Sequence, residues 1–130
     1  MPTLTINDES MAGRVLHAWE LPIEAETITI GNLIRERVTH EVGSYNAKPL
    51  QPFKGLVQPI GAEMHLNGYL LKARRKLDPE AQTYRALHAF QENGFFILVD
   101  DRQVDNLDDE ITIRPDTRVS FVKLVPLVGG

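Results

Sequence analysis

The apolar pattern changes period once in the first third of the chain, and that change limits what the chain can fold into. "TLTIN" (residues 3–7) puts Leu4 and Ile6 on one side with polar neighbours between them, the alternation of a half-buried strand. "DESMAG" supplies polar residues and a glycine for a turn, and "RVLHAWEL" alternates again through Val15, His17, Trp19 and Leu21. Then Ile30, Leu33, Ile34, Val38 and Val42 recur at three- and four-residue steps, the spacing of one helix face. Thr29 is the expected N-cap and Gly43 the expected stop. Arg35, Glu36, Arg37, His40 and Glu41 fall largely off the apolar stripe. An opening hairpin followed by a helix is the result.

From Ser44 to Lys76 the regular pattern loosens around Pro49, Pro52 and Pro59, which reads as an insertion. Within it, "EMHLNGYLLK" sets Asn67 and Gly68 between two short apolar stretches, a hairpin signal. A second helix begins at Asp78 as N-cap, with Pro79 in the first helical position and Glu80 favourable at the positive end of the dipole. Its expected apolar stripe is Ala81, Tyr84, Leu87 and Phe90, and Asn93 with Gly94 ends it.

Alternation and apolar runs then return. "FFILV" (residues 95–99) is apolar at every position, as in a strand covered on both faces. "DDRQVDNLDD" is turn and short-strand material, "EITIR" alternates through Ile111 and Ile113, and "RVSFVKLVPL" is the closing strand, expected over about Val119–Val125. Strands at both ends of the chain and a helix between them predict an α+β fold of β-grasp order, with the first and last strands side by side and parallel.

Composition removes several functions. At 130 residues the chain is most simply one domain spanning residues 1–130, because two cores would each be too small. A net charge of −4 argues against a protein built to grip nucleic acid, since neutralising phosphates needs surplus Lys and Arg. Arg74, Arg75 and Lys76 read as a solvated segment before the second helix. With no cysteine there is no disulfide, thiolate metal site or cysteine nucleophile, so any thiol chemistry belongs to a partner. No apolar run reaches the roughly 18 residues of a membrane span and no signal-like start is present, which predicts a cytoplasmic protein with no membrane partner.

His17, His40, His65 and His88 lack metal-ligand spacing, and the five aspartates of residues 100–109 lack the glycine and glutamate of a calcium loop. No metal site and no bound cofactor is expected. No acid, base or nucleophile constellation stands out either, so a stand-alone enzyme is the least expected reading.

The stretches "ETITIGNLIRER" and "LVDDRQVDNLDDEITIRPDTRVSFVKLVPLVGG" resemble the ubiquitin-like superfamily, and the second is most similar to the small sulfur carriers of molybdopterin and thiamine synthesis. Its matching features are a central strand, a short turn, a link containing Leu107, a turn with Asp116, a final strand, Pro126, and Gly129–Gly130. Two departures stand out. The insertion, about residues 44–93, replaces a short connection, and "LVPLVGG" lacks the arginines that precede the glycines of ubiquitin. The resemblance therefore implies a divergent, bacterial-type modifier with its own activating and conjugating enzymes, a deconjugating protease and a target protein.

The chemistry implied for that end is specific. A C-terminal carboxylate becomes electrophilic once ATP, used by the activating partner, converts it to an acyl-adenylate, and a partner cysteine then takes it as a thioester. Gly130 would carry the reacting carboxylate. Gly129 would let the tail enter a narrow channel because it has no Cβ. Leu124, Val125, Leu127 and Val128, with Pro126 ending the ladder, would be gripped by a partner groove, with residues 126–130 as a flexible tail. Two alternatives stay open: a sulfur carrier with a thiocarboxylate at Gly130, and a non-covalent β-grasp interaction module. Lys48, Lys54, Lys72, Lys76 and Lys123 are the lysines able to receive a further copy, and Phe53, Leu56, Leu70 and Leu71 are the insertion residues able to cover the sheet or form a partner surface.

Overall fold

The computed structural model describes residues 3–47, 53, 55–59, 62–65, 68–71 and 76–123; in the two short strands of the insertion, only Ala62 and Tyr69 are described beyond the backbone. The chain runs β1 (Thr3–Glu9), β2 (Val15–Pro22), β3 (Thr27–Thr29), α1 (Ile30–Ala47), β4 (Ala62–His65), β5 (Gly68–Leu71), α2 (Pro79–Gln91), β6 (Phe95–Val99), β7 (Arg102–Val104), β8 (Glu110–Thr112) and β9 (Arg118–Lys123). It is a mixed α+β structure with a five-stranded sheet in the order β2-β1-β9-β6-β7. The first and closing strands are parallel neighbours, with Ile6 opposite Val119 and Glu9 opposite Val122. All other ladders in that sheet are antiparallel.

Alternation builds the core. Leu4 and Ile6 on β1, Leu21 on β2, Val119 and Phe121 on β9, and Phe95 and Ile97 on β6 are buried together with Ile30, Leu33, Ile34, Val38 and Val42 of α1. Burying side chains of this size yields about 1.5–3 kcal/mol each, which is what holds the helix on the sheet. The first amides of α1 have no intrahelical acceptor. They are met from outside the helix: the N–H of Ile30 donates to the Asp109 carbonyl and that of Gly31 to the Leu107 carbonyl, both at 2.9 Å. Thr29 Oγ1 accepts from the Asn32 N–H at 3.2 Å, in the expected capping role.

Several boundaries differ from the sequence reading. Strand β1 continues through Asp8 and Glu9, which pattern alone assigned to the turn, because both pair across to β9. Helix α1 does not stop at Gly43 but runs to Ala47. Tyr45 is buried there, edge-on to Phe53, and that burial outweighs the roughly 1 kcal/mol a mid-helix glycine costs. On α2 the buried residues are Gln82, Thr83, Ala86 and Phe90, whereas Ala81 and Tyr84 face solvent, a rotation of the predicted stripe. Gln82 is drawn inward because its Nε2 donates to the Val57 carbonyl at 2.8 Å, and the buried Thr83 hydroxyl is satisfied within the helix by donating to the Pro79 carbonyl at 2.7 Å. The cap itself is as read: Asp78 Oδ1 accepts from the Glu80 N–H at 3.1 Å.

The alternation predicted for β2 is interrupted, because the register with β1 shifts between Asp8 and Glu9 and leaves Leu16 without a facing residue. Val15, Leu16 and His17 are exposed as a result. Strand β6 is fully covered on one face, at Phe95 and Ile97, and half-covered on the other. The hairpin of the insertion pairs His65 with Gly68, so Gly68 belongs to a strand rather than to the turn.

The insertion is part of the core. Phe53 and Leu56 are buried in the same cluster as Leu4 and Phe121. Phe53 and Tyr69 exchange both backbone hydrogen bonds at 2.8 Å, and Asn46 at the end of α1 pairs through its amide with both backbone groups of Leu77. A Cβ at Gly55 would fall inside the Phe53 ring, which is why this position carries no side chain. Leu70 and Leu71 have no described side chains.

Candidate functional site: the end of the closing strand

The residues assigned to conjugation, Gly129 and Gly130, and to the tail, Leu124, Val125, Pro126, Leu127 and Val128, lie outside the described residues. What is described is the platform from which they continue. Strand β9 reaches Lys123 held on both sides, with Val122 opposite Glu9 of β1 and Lys123 opposite Phe95 of β6. Beside it the β1–β2 turn is fixed by three hydrogen bonds: the Ser10 N–H to the Arg14 carbonyl, the Gly13 N–H to the Ser10 carbonyl, and the Arg14 N–H to Ser10 Oγ. Gly13 sits at φ +81°, a conformation that favours glycine. This turn and the start of β2 present Met11, Val15 and Leu16, each at least half exposed, next to the β9 end.

Beneath the same end lies a buried charge cluster that sequence reasoning missed. Arg37 is 1% exposed, and its two terminal nitrogens grip both oxygens of Asp8, at 2.5 and 2.8 Å. Its Nε donates to Glu41 Oε1 at 3.3 Å. The guanidinium also stacks over Phe121 at 4.4 Å and lies 5.6 Å from the Trp19 ring, which is itself stacked on His40 and His17. Lys123 faces the same interior: its Nζ donates to the Gly55 carbonyl at 3.0 Å, across 68 positions of sequence. Glu41 Oε2 is buried and accepts no hydrogen bond from the described residues.

The electrostatics follow from the dry setting. Burial pushes the Glu41 carboxyl above the usual carboxylate range, and the opposing pull of Arg37 and Lys123 does not cancel it. Burial likewise lowers the Lys123 ammonium, against the attraction of Asp8 and Glu41. For Arg37 burial works against the charge, but Glu41 and the bonds to Asp8 outweigh it and the guanidinium is held more firmly protonated than usual. Tyr69 is raised by burial and then by the charge of Glu41.

Arg37 and Glu41 were read as off the apolar stripe, and here the structure corrects the sequence. The signal was present: Leu33, Arg37, Glu41 and Tyr45 step by four along one helix row, so apolar and aromatic residues bracket the two charges. Among the lysines proposed as acceptors, Lys123 has its amine engaged in the interior and Lys76 is exposed; Lys48, Lys54 and Lys72 lie outside the described residues.

Elsewhere, a cleft of about 680 Å³ at the opposite end of the sheet is lined by Ile23, Ile28, Asn32, Glu24, Glu36 and Glu110 among others. No group of three or more His, Asp or Glu able to hold a metal ion occurs among the described residues. In the aspartate-rich loop, Asp100 Oδ1 accepts from the Arg118 N–H and so ties the loop to the start of β9, and Asn106 Oδ1 accepts from the Asp108 N–H and builds a turn. No described helix is long and apolar enough to cross a membrane. No family model matches the chain, and no curated protein or solved structure does either.

Proposed function

We propose that the chain is a ubiquitin-like protein modifier on a β-grasp frame, whose Gly130 carboxylate is adenylated by an activating enzyme and passed through partner cysteines to a target. The observation that carries the reading is the position of Gly129–Gly130 a few residues beyond a closing strand that lies parallel to the first strand, with α1 packed across their shared face. A narrow pair of glycines on an ordered platform suits entry into an adenylation channel. The exposed Met11, Val15 and Leu16 beside the base of the tail give an activating or conjugating partner apolar surface to grip. The absence of cysteine is consistent with a chain that is handed from thiol to thiol without supplying one.

Incubation with ATP and its cognate activating enzyme is expected to give an adduct that DTT cleaves. Deleting Gly129 and Gly130 abolishes that adduct; its persistence would overturn the reading. Intact mass of the protein from its native cells reports whether Gly130 is the terminal residue there, and a terminal oxygen exchanged for sulfur would instead identify a sulfur carrier.

A further inference from the structure

We propose that the Lys123 ammonium is a two-position latch, held on the Gly55 carbonyl while the Glu41 carboxyl carries a proton and drawn to Glu41 Oε2 once that proton is lost. The seating of Phe53 and of residues 55–59 against the end of β9 then follows the protonation of Glu41. This inference stands on the interior geometry and does not depend on activation of Gly130.

The argument begins with what each charge already holds. Asp8 occupies both terminal nitrogens of Arg37, leaving only Nε for Glu41, at 3.3 Å. One oxygen of Glu41 is therefore satisfied by a long bond and the other, Oε2, by none of the described residues, although the side chain is only 8% exposed. A buried carboxylate with an empty oxygen is costly, and it has two ways to relieve that cost: bind a proton or acquire a cation. The cation at hand is Lys123, which feels the Glu41 charge yet spends its hydrogen bond on Gly55. The groups facing Glu41 are Asp8 from β1, Arg37 from its own helix, Lys123 from β9 and Tyr69 from β5. Arg37 is committed to Asp8 and Tyr69 is neutral in the ordinary range, so Lys123 is the group free to change partner. Burial favours the protonated carboxyl, consistent with the arrangement in which Lys123 rests on Gly55.

Loss of that contact acts on a connected unit. Gly55 is packed under the Phe53 ring, and Phe53 is paired to Tyr69 through reciprocal backbone bonds. Among the described residues, the same segment is hydrogen-bonded to α2 through Gln82 to Val57 and Arg85 to Gln58. Releasing Gly55 therefore loosens one end of the segment while the five-stranded sheet keeps its ladders.

The test is a pH titration of the full chain by NMR. Glu41 Cδ reports its ionisation, and amide protection factors of Phe53 and Tyr69, corrected for intrinsic exchange, report the seating. Expected is titration of Glu41 above the ordinary glutamate range, with protection at Phe53 and Tyr69 falling about tenfold in step with it, the factor carried by one hydrogen bond to a charged group, while Asn7 and Ser120 amides in the sheet do not follow. In Glu41→Gln the protection stays high at every pH, and in Lys123→Met it is low at every pH. Titration of Glu41 in the ordinary range, or a loss of protection shared equally by Asn7 and Ser120, would overturn the latch. Should either variant fail to fold, the wild-type titration decides by itself.

Discussion

Replacing Arg37 by methionine keeps an unbranched apolar stem and removes the guanidinium, with its charge, its bonds to Asp8 and Glu41 and its stacking on Phe121. The Asp8 carboxylate then remains without its partner, beside the Glu41 carboxyl, in an interface where the two side chains are 7% and 8% exposed. Breaking a buried ion pair from one side costs about 3–5 kcal/mol, because the abandoned charge keeps its desolvation penalty and loses its partner. Here one guanidinium serves two acids and also stacks on Phe121 at 4.4 Å, so the upper part of that range is expected. Against a total stability of about 5–15 kcal/mol this is a large fraction, and it corresponds to a fall in Tm of roughly 10–20 °C for a domain of this size. Urea unfolding followed by far-UV circular dichroism measures it. A companion variant, Arg37→Met with Asp8→Leu and Glu41→Met, removes all three charges and is expected to regain most of the loss, since apolar replacement of a buried ionic group is often neutral or stabilising. A loss below about 1 kcal/mol in the single variant would mean that both carboxylates reach water, the behaviour of a surface pair, and the account of the interior would fail.

Two further outcomes follow from the same geometry. Burial raises the folded-state pKa of Glu41 above the ordinary glutamate range, so its contribution is fully present below that range and is lost as pH rises through the folded value. Wild-type stability relative to Glu41→Gln should therefore decline as pH rises above the ordinary glutamate range, read as urea midpoints; a relative rise would reverse the sign of the shift. Gly55→Ala puts a methyl into the Phe53 ring and is expected to cost about 1–3 kcal/mol as overpacking, with partial recovery when Phe53 is reduced to leucine. A neutral Gly55→Ala in thermal melts would show that the ring does not lie over this backbone.

How far the sequence could be read depended on the range of the forces involved. Thr29, Asp78 and Pro79 act within a turn of their own helix, and their roles were legible because a cap is a local hydrogen bond. The apolar step of α1 was legible for the same reason. Its length was not, because the residue that extends it past Gly43, Tyr45, is buried against Phe53 from a separate segment. The stripe of α2 was misplaced by one polar pair: Gln82 looks solvent-facing until the Val57 carbonyl from the insertion is brought beside it.

Periodicity, capping and turn chemistry thus determined the order of strands and helices, the presence of the insertion and its hairpin, and the composition that leaves any thiol to a partner. Tertiary structure alone decided which charges are inside. Asp8 reads as turn material, Arg37 and Glu41 as helix surface, and Lys123 as one of five lysines able to receive a further copy; pairing β1 with β9 and laying α1 across them brings the four into one buried cluster. A hydrophobic pattern records the average face of an element, whereas a buried charge is tolerated only where another element supplies its counter-charge, and that partner lies 29 positions away for Asp8 and Arg37 and is invisible until the chain has folded.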